Sequence, residues 1–236
     1  KMKAKILSLA VGAALMLSSC NVMNGNTVKP SEKRIQKEYT GQLETFDKIE
    51  TSTAINVVYT QSNEPQKVVL DVPENMVEFV SLKVRDGKLD VSFKGMRIIN
   101  GNHDTKVYVS GPAINKFETS SAGSIYLKNG VKYDGEVAIE SSSAGSVFVE
   151  GLVKAKTLYL ESSSAGNIKV DGAEVDLLGV DSSSAGNIEV KNIKANTVAA
   201  EASSAGNITL EGNCRVLNKE KSSAGNIRTK KLNVQN

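Results

Sequence analysis

Tryptophan is absent from this 236-residue sequence, histidine occurs once, cysteine twice and proline four times, and aromatic residues make up only 5%. Each shortage closes an option. A single histidine and two cysteines, Cys20 and Cys214, cannot supply a Cys/His zinc centre. Nucleophile–histidine catalysis would have to use His103, which sits in the polar, Gly/Asn-rich segment Gly95–Asp104 with no nucleophile elbow nearby. There is no phosphate-cradling P-loop and no dinucleotide fingerprint. Charge of one sign is also missing. The formal net charge of +3 comes from Lys1, Lys3 and Lys5, and without them 26 basic residues face 26 acidic ones. A neutral chain gives no electrostatic case for binding nucleic acid or an anionic membrane.

No apolar run is long enough to span a bilayer with confidence. The longest, Ile6–Leu17, follows Lys3 and Lys5 and runs into Leu17-Ser18-Ser19-Cys20. A basic start, a short apolar stretch and small residues before a cut describe a secretory signal. Leu-Ser-Ser-Cys resembles the lipobox of bacterial lipoproteins, which implies cleavage before Cys20 and lipidation of its thiol. The alternative is a plain signal peptide with a coincidental cysteine. With Cys20 lipidated, Cys214 has no disulfide partner, and its apolar-tending slot suggests a small core residue. The expected layout is a signal peptide over 1–19, a lipidated cysteine and flexible tether over 20–38, and one domain over 39–236. Localisation follows as the cell envelope, lipid-anchored to the outer membrane, with the leaflet face left open.

Gly, Ser, Asn and Val are plentiful, which suits short strands and tight turns. Between Ser120 and Ile227 the sequence Ser-Ser-Ala-Gly-Asn-Ile, or a close variant, is written six times, with glycines at 123, 145, 166, 186, 206 and 225. The spacings fall from 22 through 21, 20 and 20 to 19 residues. A period near 20 is the signature of a solenoid whose repeats bury their apolar faces only by stacking. Two residues after each glycine stands Ile or Val, and a second apolar pair, such as Leu158/Leu160, precedes the next motif. The fold class is therefore all-β: a parallel β-helix with a strand-rich amino-terminal layer over about 39–118. In that layer Asp86-Gly87 between alternating runs marks a hairpin, and only Glu74–Phe79 has room for a helical turn. Lysines in the last rungs, including Lys219, Lys221, Lys230 and Lys231, read as protection of an open edge.

The repeated Ser-Ala-Gly-Asn-Ile motif, preceded by an all-β segment opening with Phe46-Asp47-Lys48-Ile49, resembles the family called putative auto-transporter adhesin, head GIN domain. The resemblance covers about residues 40–230. It implies a right-handed solenoid similar in shape to pectin-lyase-type helices but without their catalytic residues, and a role in cell adhesion.

Five residues before each repeat glycine stands an acid: Glu118, Glu140, Glu161, Asp181, Glu201 and Glu220. Strand parity turns this column outward, where stacked like charges repel. Three readings offset the repulsion. The carboxylates accept hydrogen bonds from turn N–H groups or pair with lysines; they bind a hard cation such as Ca²⁺; or they form a ligand face for a glycan or another repetitive surface. Tyr126 and Phe148 face outward on adjacent rungs, either as a sugar-stacking or protein-docking platform, with Tyr133 and Tyr159 as neighbours, or packed beneath other strands. The expected function is a non-catalytic, lipid-anchored envelope protein that contacts a glycan or cell-surface protein, with no resident cofactor. The competing readings are a structural envelope protein that assembles with itself, and a polysaccharide-degrading enzyme using acids such as Asp171, Asp176 and Asp181.

Overall fold

A computed structural model describes residues 27–95 and 99–235. The expected signal segment and Cys20 lie outside the described residues. The strands are, in chain order, β1 (Arg34–Glu38), β2 (Lys48–Thr51), β3 (Asn56–Gln61), β4 (Lys67–Pro73), β5 (Val80–Arg85), β6 (Lys88–Phe93), β7 (Lys106–Gly111) and β8 (Lys116–Thr119). There follow β9 (Ser124–Leu127), β10 (Val131–Lys132), β11 (Glu136–Ser141), β12 (Ser146–Ser162), β13 (Asn167–Ser182), β14 (Asn187–Ala202), β15 (Asn207–Lys221) and β16 (Asn226–Val234). Glu74–Phe79 forms a single 3₁₀ helix. The polar tether expected to reach residue 38 gives way at Arg34, because β1 pairs antiparallel with β4. Composition alone hides this, since β1 is an edge strand whose residues are mostly exposed.

From β8 onward the strands stack in parallel, like on like, into a β-solenoid. Within β12 the inward residues are Val147 and Val149, then Val153, then Leu158, Leu160 and Ser162, so one coil has three sides. The same columns are buried in β13 and β14. Each inward side chain therefore rests on its counterpart one rung away, about 4.8 Å distant. At roughly 1.5–3 kcal/mol per fully buried aliphatic side chain, these columns are the main source of cohesion between rungs.

The corner between the sides is where the motif sits. Its Ser and Ala adopt left-handed backbone in every repeat, for example Ser164 at φ 48° and Ala165 at φ 62°. Asn at the next strand's start does not. The glycine serves close approach: a Cβ at Gly206 would lie 2.0 Å from the Ser182 carbonyl oxygen of the neighbouring rung. The corner N–H groups bond to the adjacent corner, as in Ala144 N–H to Ser164 O at 3.1 Å, or within their own, as in Gly145 N–H to Ser142 O at 2.7 Å.

A seventh corner precedes the six. Thr53 and Ala54 have φ of 58° and 59°, and Glu50, Thr51 and Asn56 pair with Glu118, Thr119 and Ser124 in register. Ile55 stands in its glycine slot and is fully buried. The strand-rich layer is thus partly a rung of the same coil. It continues into β6 and β7, and antiparallel β5, β4 and β1 cover that end.

Coil shortening falls wholly on the bends away from the corner. Residues 133–135 are matched by 155–156, 150–151 by 171, and 191–192 by 211. At the open end, Lys219 and Lys221 stand in register with inward Ala200 and Ala202, and Lys219 Nζ donates to Thr229 Oγ1 at 3.2 Å.

Candidate functional site: an acidic column beside a groove

The acid column exists, and it is longer than the motif. In spatial order it runs Asp90, Glu50, Glu118, Glu140, Glu161, Asp181, Glu201 and Glu220. Beside it, two residues earlier on each strand, lies a second outward column: Lys88, Lys48, Lys116, Ala138, Tyr159, Gly179, Ala199 and Asn218. The composition of this neighbour splits the acids into two groups.

In the first group, lysines interleave with carboxylates. Lys88 pairs with Glu50 at 2.5 Å and Glu118 at 3.2 Å, and Lys116 pairs with Glu118 at 3.1 Å and Glu140 at 2.9 Å. Burial pushes the Glu118 carboxyl up, but its bonds to Lys116 and Lys88 outweigh that and hold it below its ordinary value. In the second group the lysines are replaced by Tyr159, Gly179, Ala199 and Asn218. Glu161, Asp181, Glu201 and Glu220 make no hydrogen bond or ion pair among the described residues. The turn N–H groups that were one expected partner are spent on carbonyls of their own or neighbouring corners. Burial, together with the charges of Glu140 and Asp181, pushes the Glu161 carboxyl up. Burial does the same to Asp181.

The small residues beside the unpaired acids leave a groove of about 510 Å³ running along the stack, lined by Ala138, Tyr159, Gly179, Ala199 and the acids from Glu140 to Glu220. Tyr159 is 43% exposed. Its ring lies across Gly179, in the space that a Cβ would take. The groove thus combines an apolar floor, one exposed ring and a row of carboxylate acceptors about 4.8 Å apart. Among the described residues no group of three or more His, Cys, Asp or Glu is disposed to hold a metal ion.

Tyr126 and Phe148 are brought together on a different side of the coil, with ring centroids 5.2 Å apart and planes 17° from parallel. Each ring turns a face to the other, so the pair offers solvent its edges more than its faces. Their outward neighbours are not Tyr133 and Tyr159, as the sequence suggests. Tyr133 lies over Gly135 on the far bend, and the column instead continues through Val58, Tyr108 and Val69.

The remaining candidates lie away from the groove, Asp181 excepted. His103 is half-buried, bonds Thr105 Oγ1 through Nδ1 at 3.0 Å and meets the Phe93 ring edge-on at 5.1 Å, and burial pushes its pKa down. Cys214 is a buried core residue, 2% exposed. Of Asp171, Asp176 and Asp181, only Asp181 lines the groove; Asp176 accepts a bond from Asn196 at 2.9 Å.

The sequence of the family described as putative auto-transporter adhesin, head GIN domain matches residues 45–190 and 160–236. The chain belongs to this family. A putative adhesin from Bacteroides fragilis has the same fold at a TM-score of 0.73 and 24% identity, over 85% of this chain and 99% of that one. A protein from Parabacteroides distasonis described as a putative lipid binding protein matches at 0.66 and 18%, over 86% of this chain and 99% of that one. A putative adhesin from Parabacteroides merdae matches at 0.63 and 19%, over 86% and 99%. At these identities the likeness shows the fold alone. No curated protein matches the chain.

Proposed function

We propose that this head GIN domain protein is a non-catalytic, lipid-anchored adhesin of the cell envelope that holds a surface glycan along the groove. Membership of a family named for adhesion supports the general class, and the lipobox-like Leu17-Ser18-Ser19-Cys20 supports the anchor. The observation that carries the site is the run of four unpartnered carboxylates, Glu161 to Glu220, beside Tyr159. Such a row costs free energy through mutual repulsion and burial, and nothing in the coil requires it, since lysines neutralise the same column on earlier rungs. Carboxylates at rung spacing accept hydrogen bonds from successive hydroxyl or amine groups of a chain, and the Tyr159 ring stacks on sugar C–H faces.

The test is a glycan array probed with the folded domain, followed by the variants Tyr159→Ala and Asp181→Asn/Glu201→Gln. Binding that both variants reduce by about tenfold, the effect of losing about 1.4 kcal/mol, supports the groove. Binding unaffected by either removes it. Titration with Ca²⁺ in the same samples distinguishes a cation site, which the Asp181→Asn/Glu201→Gln variant would abolish and Tyr159→Ala would spare.

A further inference from the structure

Val69, Tyr108, Val58, Tyr126 and Phe148 stand side by side on five neighbouring strands, all on the outward face. Their inward neighbours, such as Val57, Val107, Ile125 and Val147, are fully buried, which fixes the parity. The result is an apolar stripe one side chain wide and about 19 Å long, four strand spacings. Tyr108 is 39% exposed and the others are half-buried. Two basic groups at its borders are neutralised, Lys106 by Asp104 at 2.8 Å and Lys128 by Glu150 at 2.6 Å, and exposed Lys169, in register with Phe148, ends the stripe on that side.

The stripe begins beside the place where the tether enters the fold. Asn75 clamps the incoming chain, accepting the Ser31 N–H at 3.0 Å and donating to the Lys29 carbonyl at 2.9 Å. Arg34 of β1 then pairs with Pro73 at the end of β4, the strand that carries Val69. Val69 lies four residues along β4 from Pro73, about 14 Å. Cys20 is seven residues before Thr27, so it can be no more than about 25 Å away from it.

We infer that this stripe is a membrane-contact surface, which lies on the headgroup–acyl boundary of the bilayer holding the Cys20 lipid. This inference rests on the lipoprotein reading above. Tyrosine and phenylalanine suit that boundary because an apolar ring is buried while a phenol stays wet. A glycan finds little open ring face here, since Tyr126 and Phe148 cover each other. A second copy finds too little area, because a stripe this narrow falls far short of the roughly 800 Å² per partner of a stable interface. A lipid on a flexible tether holds the domain near the bilayer without orienting it, and a second contact made at that high effective concentration needs no high affinity of its own. The groove, on another side of the coil, remains free for a ligand.

The chain has no tryptophan, so Phe148→Trp and Tyr159→Trp each give a single reporter, one on the stripe and one in the groove. The full chain, lipidated in cells, is reconstituted on vesicles of phosphatidylethanolamine and phosphatidylglycerol containing brominated lipid. A ring seated 5–10 Å deep should lose about half its fluorescence and shift to the blue. Phe148→Trp is expected to show this and Tyr159→Trp is not. Adding Tyr108→Ser and Val58→Ser should reverse the quenching, with melting curves confirming the fold, while added salt should change it little. Equal response of both reporters, or none at Phe148→Trp, overturns the inference. So does a Phe148→Ser variant that loses glycan binding or a dimer seen by light scattering. Failure of the lipoprotein reading appears separately, as a Cys20 peptide without lipid mass and a chain that does not float with vesicles. In that case coupling Cys20 to a maleimide phospholipid still reads the stripe itself.

Discussion

Ser141 and Ser182 occupy the same inward slot beside the corner, two rungs apart, yet their hydroxyls fare differently. Ser141 Oγ donates to the Gly145 carbonyl at 2.8 Å and accepts from Asn167 N–H at 3.2 Å. Ser182 Oγ is buried without a partner among the described residues, and the next rung fills the slot with Ala202. A buried hydroxyl left unbonded costs more than its removal. Ser182→Ala is therefore expected to be neutral or stabilising by up to about 1 kcal/mol, and Ser141→Ala to lose about 1 kcal/mol, in urea unfolding. Equal losses would show that the two hydroxyls are equivalent after all. Glu161 makes a second residue-scale case. Its folded pKa is raised above the ordinary 4.5, so the folded state holds its proton more tightly than the unfolded one. The contribution is present at low pH and lost as pH rises through the folded value. Glu161→Gln should melt above the parent at neutral pH, with the gap closing below about pH 4, the ordinary carboxylate range. A gap that widens on acidification would contradict the assignment.

At the scale of the element, the last two strands show how an open stack is closed. Lys219, Lys221 and Thr229 replace the aliphatic or small residues of earlier rungs, and inward-pointing charge is an effective bar to another strand. Lys219→Val with Lys221→Ser and Thr229→Val extends the core columns to the edge. The expected result is concentration-dependent association in light scattering, absent from the parent; a variant that stays monomeric would mean that the side chains are not the barrier. The same strands explain what the sequence reveals. Six corners are legible because Ser-Ala-Gly recurs at a near-constant period with Ile two places on. The seventh is not, because Thr53 and Ile55 replace two of the three signature residues. Glu50, Ser52, Ala54, Asn56 and Val57 keep the pattern, but the strands inserted between this corner and Gly123 remove the period that would expose it. The acid column is legible for the same periodic reason. Its division into paired and unpaired halves is not, since Lys48, Lys88 and Lys116 come from three strands that only the topology brings side by side. The apolar stripe is half-legible: Tyr126 and Phe148 share a column of the repeat, while Val58, Tyr108 and Val69 join from strands with no repeat to align them.

For the whole molecule, each rung touches little beyond its neighbours, so stability is close to a sum of rung and interface contributions. The amino-terminal end is covered by antiparallel strands, whereas β16 has a partner, β15, on one side alone. Hydrogen exchange should therefore be fastest in β16, slower in β15, and slowest through β12 and β13. Uniform protection across these strands would indicate one all-or-none unit. The shortening of the coil carries a further consequence. Because the corner is fixed and the loss falls on the far bends, the perimeter shrinks from a 22-residue to a 19-residue loop, about 10 Å of extended chain. The coil thus loses residues toward its open end. Its last rung has no equal in the first rung of another copy, so even with the lysines removed a filament would have to join loops of unequal length. That mismatch sets a limit on growth that charge alone does not provide.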